Sequence, residues 1–145
     1  MLDFIDVSRA YFHADAVRRV YVRLPPEDEE PGMCGRLVKA MYGTRDAAQN
    51  WEKFYVQCMT EWGFTHGVSN PCAFWKEDMD LRVVVHGDDF SVLAPEESLD
   101  WLRQCISSKM SVKFKVRLKP GEKRAVRVLN RIAQSTQGCL EYEAD

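Results

Sequence analysis

Two adjacent aspartates, Asp88 and Asp89, interrupt an apolar run in "VVVHGDDFSVLA" (residues 83–94). Val83, Val84 and Val85 are β-branched, and Phe90, Val92 and Leu93 also favour strands. His86, Gly87, Asp88 and Asp89 therefore sit at hairpin-loop length between two strands. Glycine before aspartate is common turn chemistry, so a solvated turn is one reading of the pair. The other is a pair of carboxylates held out for a hard cation. That reading needs a partner, and Asp6 in the opening strand offers one, so three aspartates at two strand ends could converge. The chemistry would be phosphoryl transfer. Two divalent ions about 3.5–4 Å apart stabilise attacking and leaving oxygens, and magnesium prefers a few carboxylates plus substrate phosphate to a full protein cage. Neighbouring side chains on an ideal strand point to opposite faces, so only one of the adjacent pair is an obvious first ligand; Asp88 is taken as that one.

The elements that must position these residues follow from periodicity. "LDFIDV" at residues 2–7 alternates apolar and acidic side chains as a strand, and residues 9–16 suit a short helix. So abrupt a start reads as a truncated domain. Strands are expected at 20–24 and 34–41, flanking the exposed acidic loop "PPEDEEPG". The clearest helix carries Ala47, Trp51, Phe54, Tyr55, Cys58, Met59 and Trp62 at three- and four-residue spacing, with Gly63 as its cap. Strands at 72–76 and 81–86 surround the turn "EDMD", and a second amphipathic helix runs from Pro95 to about residue 110. Further strands are expected at 112–119, 125–132 and 139–142. The sum is an α+β fold in one domain over 1–145: a mostly antiparallel sheet with two main amphipathic helices packed on one face.

The net charge of −2 hides a segregation. Residues 1–102 carry 10 basic and 18 acidic side chains, whereas residues 103–131 carry ten cations and one acid, Glu122. Such asymmetry points to a polyanion partner. Within the basic part, Val112, Phe114, Val116 and Leu118 alternate with Lys113, Lys115, Arg117 and Lys119, which predicts a strand with one cationic face. That face suits nucleic-acid phosphates, or it guards a sheet edge against aggregation. Five scattered cysteines without a CxxC pair, no signal peptide and no apolar run of membrane length point to a reduced intracellular protein, cytoplasmic or nuclear, with no membrane partner. No ligand spacing supports a zinc site.

At this point the sequence resembles a family, the reverse transcriptases of copia-type LTR retrotransposons. Three blocks in order carry the resemblance. "DVSRAYFHADAVRRVYVRLPPE" from Asp6 is similar to the family's first catalytic block, "KAMYGTRDAAQNWEKF" from Lys39 to its "KSLYGLKQAPRAWYEKL", and "VVHGDDFSVLA" to its tyrosine-x-Asp-Asp hairpin. Departures are His86 for the tyrosine, Gly87 for an aliphatic neighbour, and Asp46 and Ala48 for glutamine and proline. The resemblance implies a polymerase palm-like fold, with Asp6, Asp88 and Asp89 holding Mg2+, or alternatively Mn2+, for nucleotidyl transfer to a primer 3′-hydroxyl. It places Tyr11 beside the incoming sugar and gives Gly43 a nucleotide-facing role. On the residues alone, Tyr11 reads equally as a core-edge aromatic and Gly43 as a plain turn. Implied partners are an RNA/DNA template-primer, deoxynucleoside triphosphates and the remainder of the retrotransposon polyprotein, with Lys113, Lys115, Arg117 and Lys119 as strand-backbone contacts. The rival readings are a non-catalytic remnant that at most binds nucleic acid, and a small metal-dependent nuclease or phosphatase.

Overall fold

A computed structural model of the chain describes residues 1–128, 131–136 and 139–144. Strands β1 (Leu2–Val7), β2 (Tyr21–Val22) and β3 (Gly35–Arg36) precede helix α1 (Ala47–Glu61). Strands β4 (Thr65–His66), β5 (Ala73–Lys76), β6 (Leu81–His86) and β7 (Asp89–Leu93) lead into helix α2 (Glu96–Lys109). The chain continues through β8 (Val112–Leu118), β9 (Arg124–Val128), β10 (Arg131–Ser135) and β11 (Leu140–Ala144). Every strand pairing among the described residues is antiparallel, so the expected α+β class is found. The chain forms two compact units, one of residues 1–8 with 62–145 and one of residues 9–61.

The first unit is built on a six-stranded sheet in the order β4-β5-β6-β7-β1-β8. Period-two alternation decides its faces: Leu81, Val83 and Val85 of β6 are buried while Arg82, Val84 and His86 are exposed. Opposed residues share a face, so Val85, Phe90 and Ile5 line up across β6, β7 and β1, as do Val83, Val92 and Asp3. Helix α2 covers this face, bringing Leu99, Leu102 and Ile106 inward at helical spacing and reaching Asp3 through Arg103. The opposite face is covered in part by the smaller sheet β11-β10-β9, where Phe4 and Leu118 pack with Val128 and Ala133.

Three expectations change. The strand expected over 125–132 is two strands, β9 and β10, paired with Val128 opposite Arg131; Leu129 and Asn130 lie outside the described residues. The strands expected at 20–24 and 34–41 shrink to the two-residue pair β2–β3. Pro25 and Pro26 have no amide hydrogen to extend that ladder, and Tyr21 and Val38 stand exposed with no layer over them. The helix expected at 9–16 is a single 3-10 turn, Ala10–His13, entered through Arg9 in the left-handed region at φ 55°. Residues 9–61 otherwise gather around Ala14, Ala40 and Ala47, with Tyr11 and Phe54 packed against them.

Glu96, in the first turn of α2, accepts a hydrogen bond from Lys119 Nζ at 2.6 Å. That bond, aided by the Lys119 and Arg117 charges, holds the Glu96 carboxyl below its ordinary value of 4.5. A depressed folded-state pKa contributes stability that is present above 4.5 and lost as pH falls through the lower folded value. Glu96→Gln should therefore flatten the acid-side fall of the urea midpoint and leave its neutral-pH slope unchanged. Solvent screening keeps the effect small.

Candidate metal centre

The hairpin that carries the aspartates is closed by His86 and Asp89, which oppose each other, leaving Gly87 and Asp88 as a two-residue turn. Gly87 takes φ 62° and Asp88 does not have positive φ, the pattern of a type II′ turn with glycine first. Asp89 is thus already a strand residue. It lies opposite Asp6 in the β1–β7 ladder, and Val7 N donates to the Asp88 carbonyl at 2.8 Å, pinning the turn to the end of β1. The Asp88 side chain is exposed.

On the other side of β1, the ladder to β8 changes register between Phe4 and Ile5. Phe4 opposes Val116 and Ile5 opposes Phe114, which leaves Lys115 as the extra residue of a β-bulge. The bulge breaks the alternation that predicted one cationic face. Arg117 opposes Asp3 and shares the face under α2, whereas Lys113 opposes Asp6 on the other face. Lys115 reaches the Asp6 side as well: its Nζ donates to Asp89 Oδ1 at 2.6 Å and lies 3.4 Å from Asp6 Oδ2. The side chains of Lys115, Asp6 and Asp89 are 34%, 28% and 20% exposed, so the cluster is shielded from water without being sealed. Partial burial works to lower the Lys115 pKa, but the hydrogen bond and charge of Asp89, with those of Asp6, outweigh it and leave the ammonium above its ordinary range.

Three of the four residues expected to contact nucleic acid are committed to internal carboxylates: Lys115 as above, Arg117 to Asp3 and Asp100, and Lys119 to Glu96. Lys113 is exposed. Four of the ten cations of residues 103–131, namely Arg103, Lys115, Arg117 and Lys119, thus meet acids of residues 1–102 within the fold. Sequence reasoning missed Asp3, the buried acid at the centre of this arrangement. Both its oxygens accept from Arg103 and from Arg117 at 2.7–3.0 Å. The signal was present, because Asp3 is in phase with the core residues Ile5 and Val7, and an acid at a buried strand position needs a paired cation.

In the unit of residues 9–61, the Tyr11 ring lies against Tyr42 with centroids 4.3 Å apart, and Phe12 meets Tyr42 edge-on at 5.7 Å. Gly43 follows with φ 89°, a conformation that favours glycine, and nothing lies within 4 Å of where a Cβ would stand. Asp46 precedes α1 and its Oδ2 accepts from Asn50 Nδ2 at 3.2 Å, a local role at a helix start where a carboxylate is favoured.

Two partly exposed carboxylates converging on one cation are a donor set that suits Mg2+ or Mn2+, which take oxygen ligands and complete their shell with water and phosphate. Among the described residues no group of three or more His, Cys, Asp or Glu side chains is arranged to hold a metal ion. The structure brings Asp6 and Asp89 together as a pair and leaves Asp88 on the turn beside them.

Residues 1–121 match the family described as reverse transcriptase (RNA-dependent DNA polymerase), and the chain belongs to that family. It is similar to the retrovirus-related Pol polyprotein from transposon TNT 1-94 of Nicotiana tabacum, 25% identical over 101 residues that cover 66% of this chain. The match spans 8% of that relative's length. The copia-type resemblance carried by the three sequence blocks is thereby borne out. Among the described residues no helix is long and apolar enough to cross a membrane.

Proposed function

We propose that the chain is the palm region of an RNA-directed DNA polymerase of a copia-type retrotransposon, transferring nucleotides to a primer 3′-hydroxyl at a site made by Asp6, Asp89 and the adjacent Asp88. The observation that carries this reading is the register of Asp6 opposite Asp89, distant in sequence, with both carboxylates turned to one cation. Bound Mg2+ would neutralise charge on the transferring phosphoryl group and lower the pKa of the attacking hydroxyl. The chain's own part is positional. The β1–β7 ladder sets Asp6 opposite Asp89, and the Val7–Asp88 backbone hydrogen bond holds the turn that carries Asp88 to the end of β1. Tyr11 and Gly43 are assigned to the incoming deoxynucleoside triphosphate, and exposed Lys113 to template-primer phosphates. The remainder of the polyprotein is the expected partner.

One observation favours the rival, a non-catalytic remnant: the carboxylate pair already has an internal counter-cation in Lys115. Magnesium separates the two readings. A ligand bound only by the native state at ten times its Kd adds about 1.4 kcal/mol, a rise of a few degrees in Tm for a chain of this size. That rise is expected in the wild type and should vanish in Asp6→Asn and Asp89→Asn. A wild-type Tm indifferent to millimolar Mg2+ would favour the remnant.

A further inference from the structure

The Lys115 ammonium stands against both of the carboxylates, Asp6 and Asp89, that would hold a divalent ion. Its Nζ sits 2.6 Å from Asp89 Oδ1 and 3.4 Å from Asp6 Oδ2, while magnesium lies about 2.0–2.1 Å from its oxygen ligands. An ion bridging the same two oxygens would meet the ammonium at close range, and two cations cannot share that space in a partly shielded site. The placement is a backbone property. Without the bulge, β8 would keep Lys115 on the same side as Arg117, under α2; the extra residue at this point carries it across to the carboxylates. The lysine stem is flexible and a third of the side chain is exposed, so the ammonium has a way out to solvent.

We propose that Lys115 is a built-in counter-cation of the Asp6–Asp89 pair: it relieves carboxylate repulsion in the metal-free protein and must swing away for a divalent ion to bind, so it sets the metal affinity of the site. This rests on the metal-site reading of Asp6 and Asp89. Two consequences follow in opposite directions. Removing the ammonium weakens the metal-free fold, because the two carboxylates then face each other unpaired. It also strengthens metal binding, because the ion no longer competes with a tethered charge.

The test is Mn2+ titration of the 145-residue chain, reading free Mn2+ by electron paramagnetic resonance, for the wild type, Lys115→Met, Lys115→Arg, Asp89→Asn and the Lys115→Met/Asp89→Asn double variant. Circular dichroism verifies folding, and Lys115→Gln replaces the methionine variant if that one does not fold. Lys115→Met is expected to bind Mn2+ about tenfold more tightly than the wild type, Lys115→Arg to stay near the wild type, and the double variant to lose the gain. In EDTA, Lys115→Met should melt below the wild type. If Asp89→Asn weakens Mn2+ binding but Lys115→Met binds no more tightly than the wild type, the counter-cation role is overturned and the metal site stands. If neither the wild type nor Lys115→Met shows Mn2+ binding that depends on Asp89, the metal-site reading itself fails, and this proposal with it.

Discussion

Asp3→Ala is expected to remove about 3–5 kcal/mol of folding stability, the cost of breaking a buried ion pair by deleting one partner. Asp3 is 1% exposed and pairs with two arginines, Arg103 from α2 and Arg117 from β8. Its loss leaves two guanidinium groups facing each other across the space the carboxylate filled. Arg117 keeps Asp100 at 2.8 Å and Glu96 at 3.5 Å, whereas Arg103 is left over the Phe114 ring, 4.5 Å from the centroid. In the wild type the Asp3 hydrogen bond holds the Arg117 pKa above its ordinary value; without it a guanidinium still stays protonated, so neither cation can escape by losing its proton. Whole domains are stable by about 5–15 kcal/mol, so the variant should sit near the edge of folding. Urea unfolding at neutral pH measures the loss. A contrasting triple variant, Asp3→Leu with Arg103→Met and Arg117→Met, replaces the buried carboxylate and both its arginines by apolar groups, leaving the solvent-exposed Asp100 without Arg117, and should recover most of the stability, as buried ion networks commonly do when exchanged together. A loss below about 1 kcal/mol for Asp3→Ala, within the range of exposed pairs, would mean that the network is solvated and idle.

The second large effect concerns catalysis. The 145-residue chain alone should extend a labelled primer on an RNA template weakly or not at all, with either Mg2+ or Mn2+. Phosphoryl transfer gains its rate mainly by holding nucleophile, phosphate and ions in line, and the chain spans only 8% of the tobacco polyprotein relative. Carried in a longer reading frame with flanking polyprotein segments, the same chain should extend the primer, and Asp89→Asn should cut that extension by about 10²-fold or more. Robust extension by the isolated chain, abolished by Asp89→Asn, would show that residues 1–145 hold template and primer unaided. Extension in the longer frame that survives Asp89→Asn would remove Asp89 from the reaction.

Much of the fold was legible because its signals are local. Leu81, Val83 and Val85 alternate strictly with Arg82, Val84 and His86, and β6 follows them residue for residue. Helix α1 ends at Glu61, where Gly63 with φ 80° supplies the expected cap. The hairpin was legible as well, and a closer reading of its turn would have chosen between the aspartates. Glycine at the first position of a two-residue turn makes Gly87–Asp88 the turn and Asp89 the first strand residue, so Asp89, opposite His86, is the one in register with Asp6. What the sequence could not show was long-range. A bulge at Lys115 leaves no mark in a stretch that alternates almost perfectly, yet it decides which cations face the site. The basic segment read as a surface for polyanions because its acids, Asp3, Asp6, Asp89 and Glu96, lie far away in sequence and beside it only in the folded chain.

The most direct measurement is an anomalous difference map from crystals of the chain soaked in Mn2+. The expected result is a peak about 2 Å from carboxylate oxygens of both Asp6 and Asp89, with the Lys115 ammonium withdrawn from its 2.6 Å hydrogen bond to Asp89. A map in which Lys115 keeps that bond, and Mn2+ binds only elsewhere or not at all, would contradict the assignment of this pair as a metal centre.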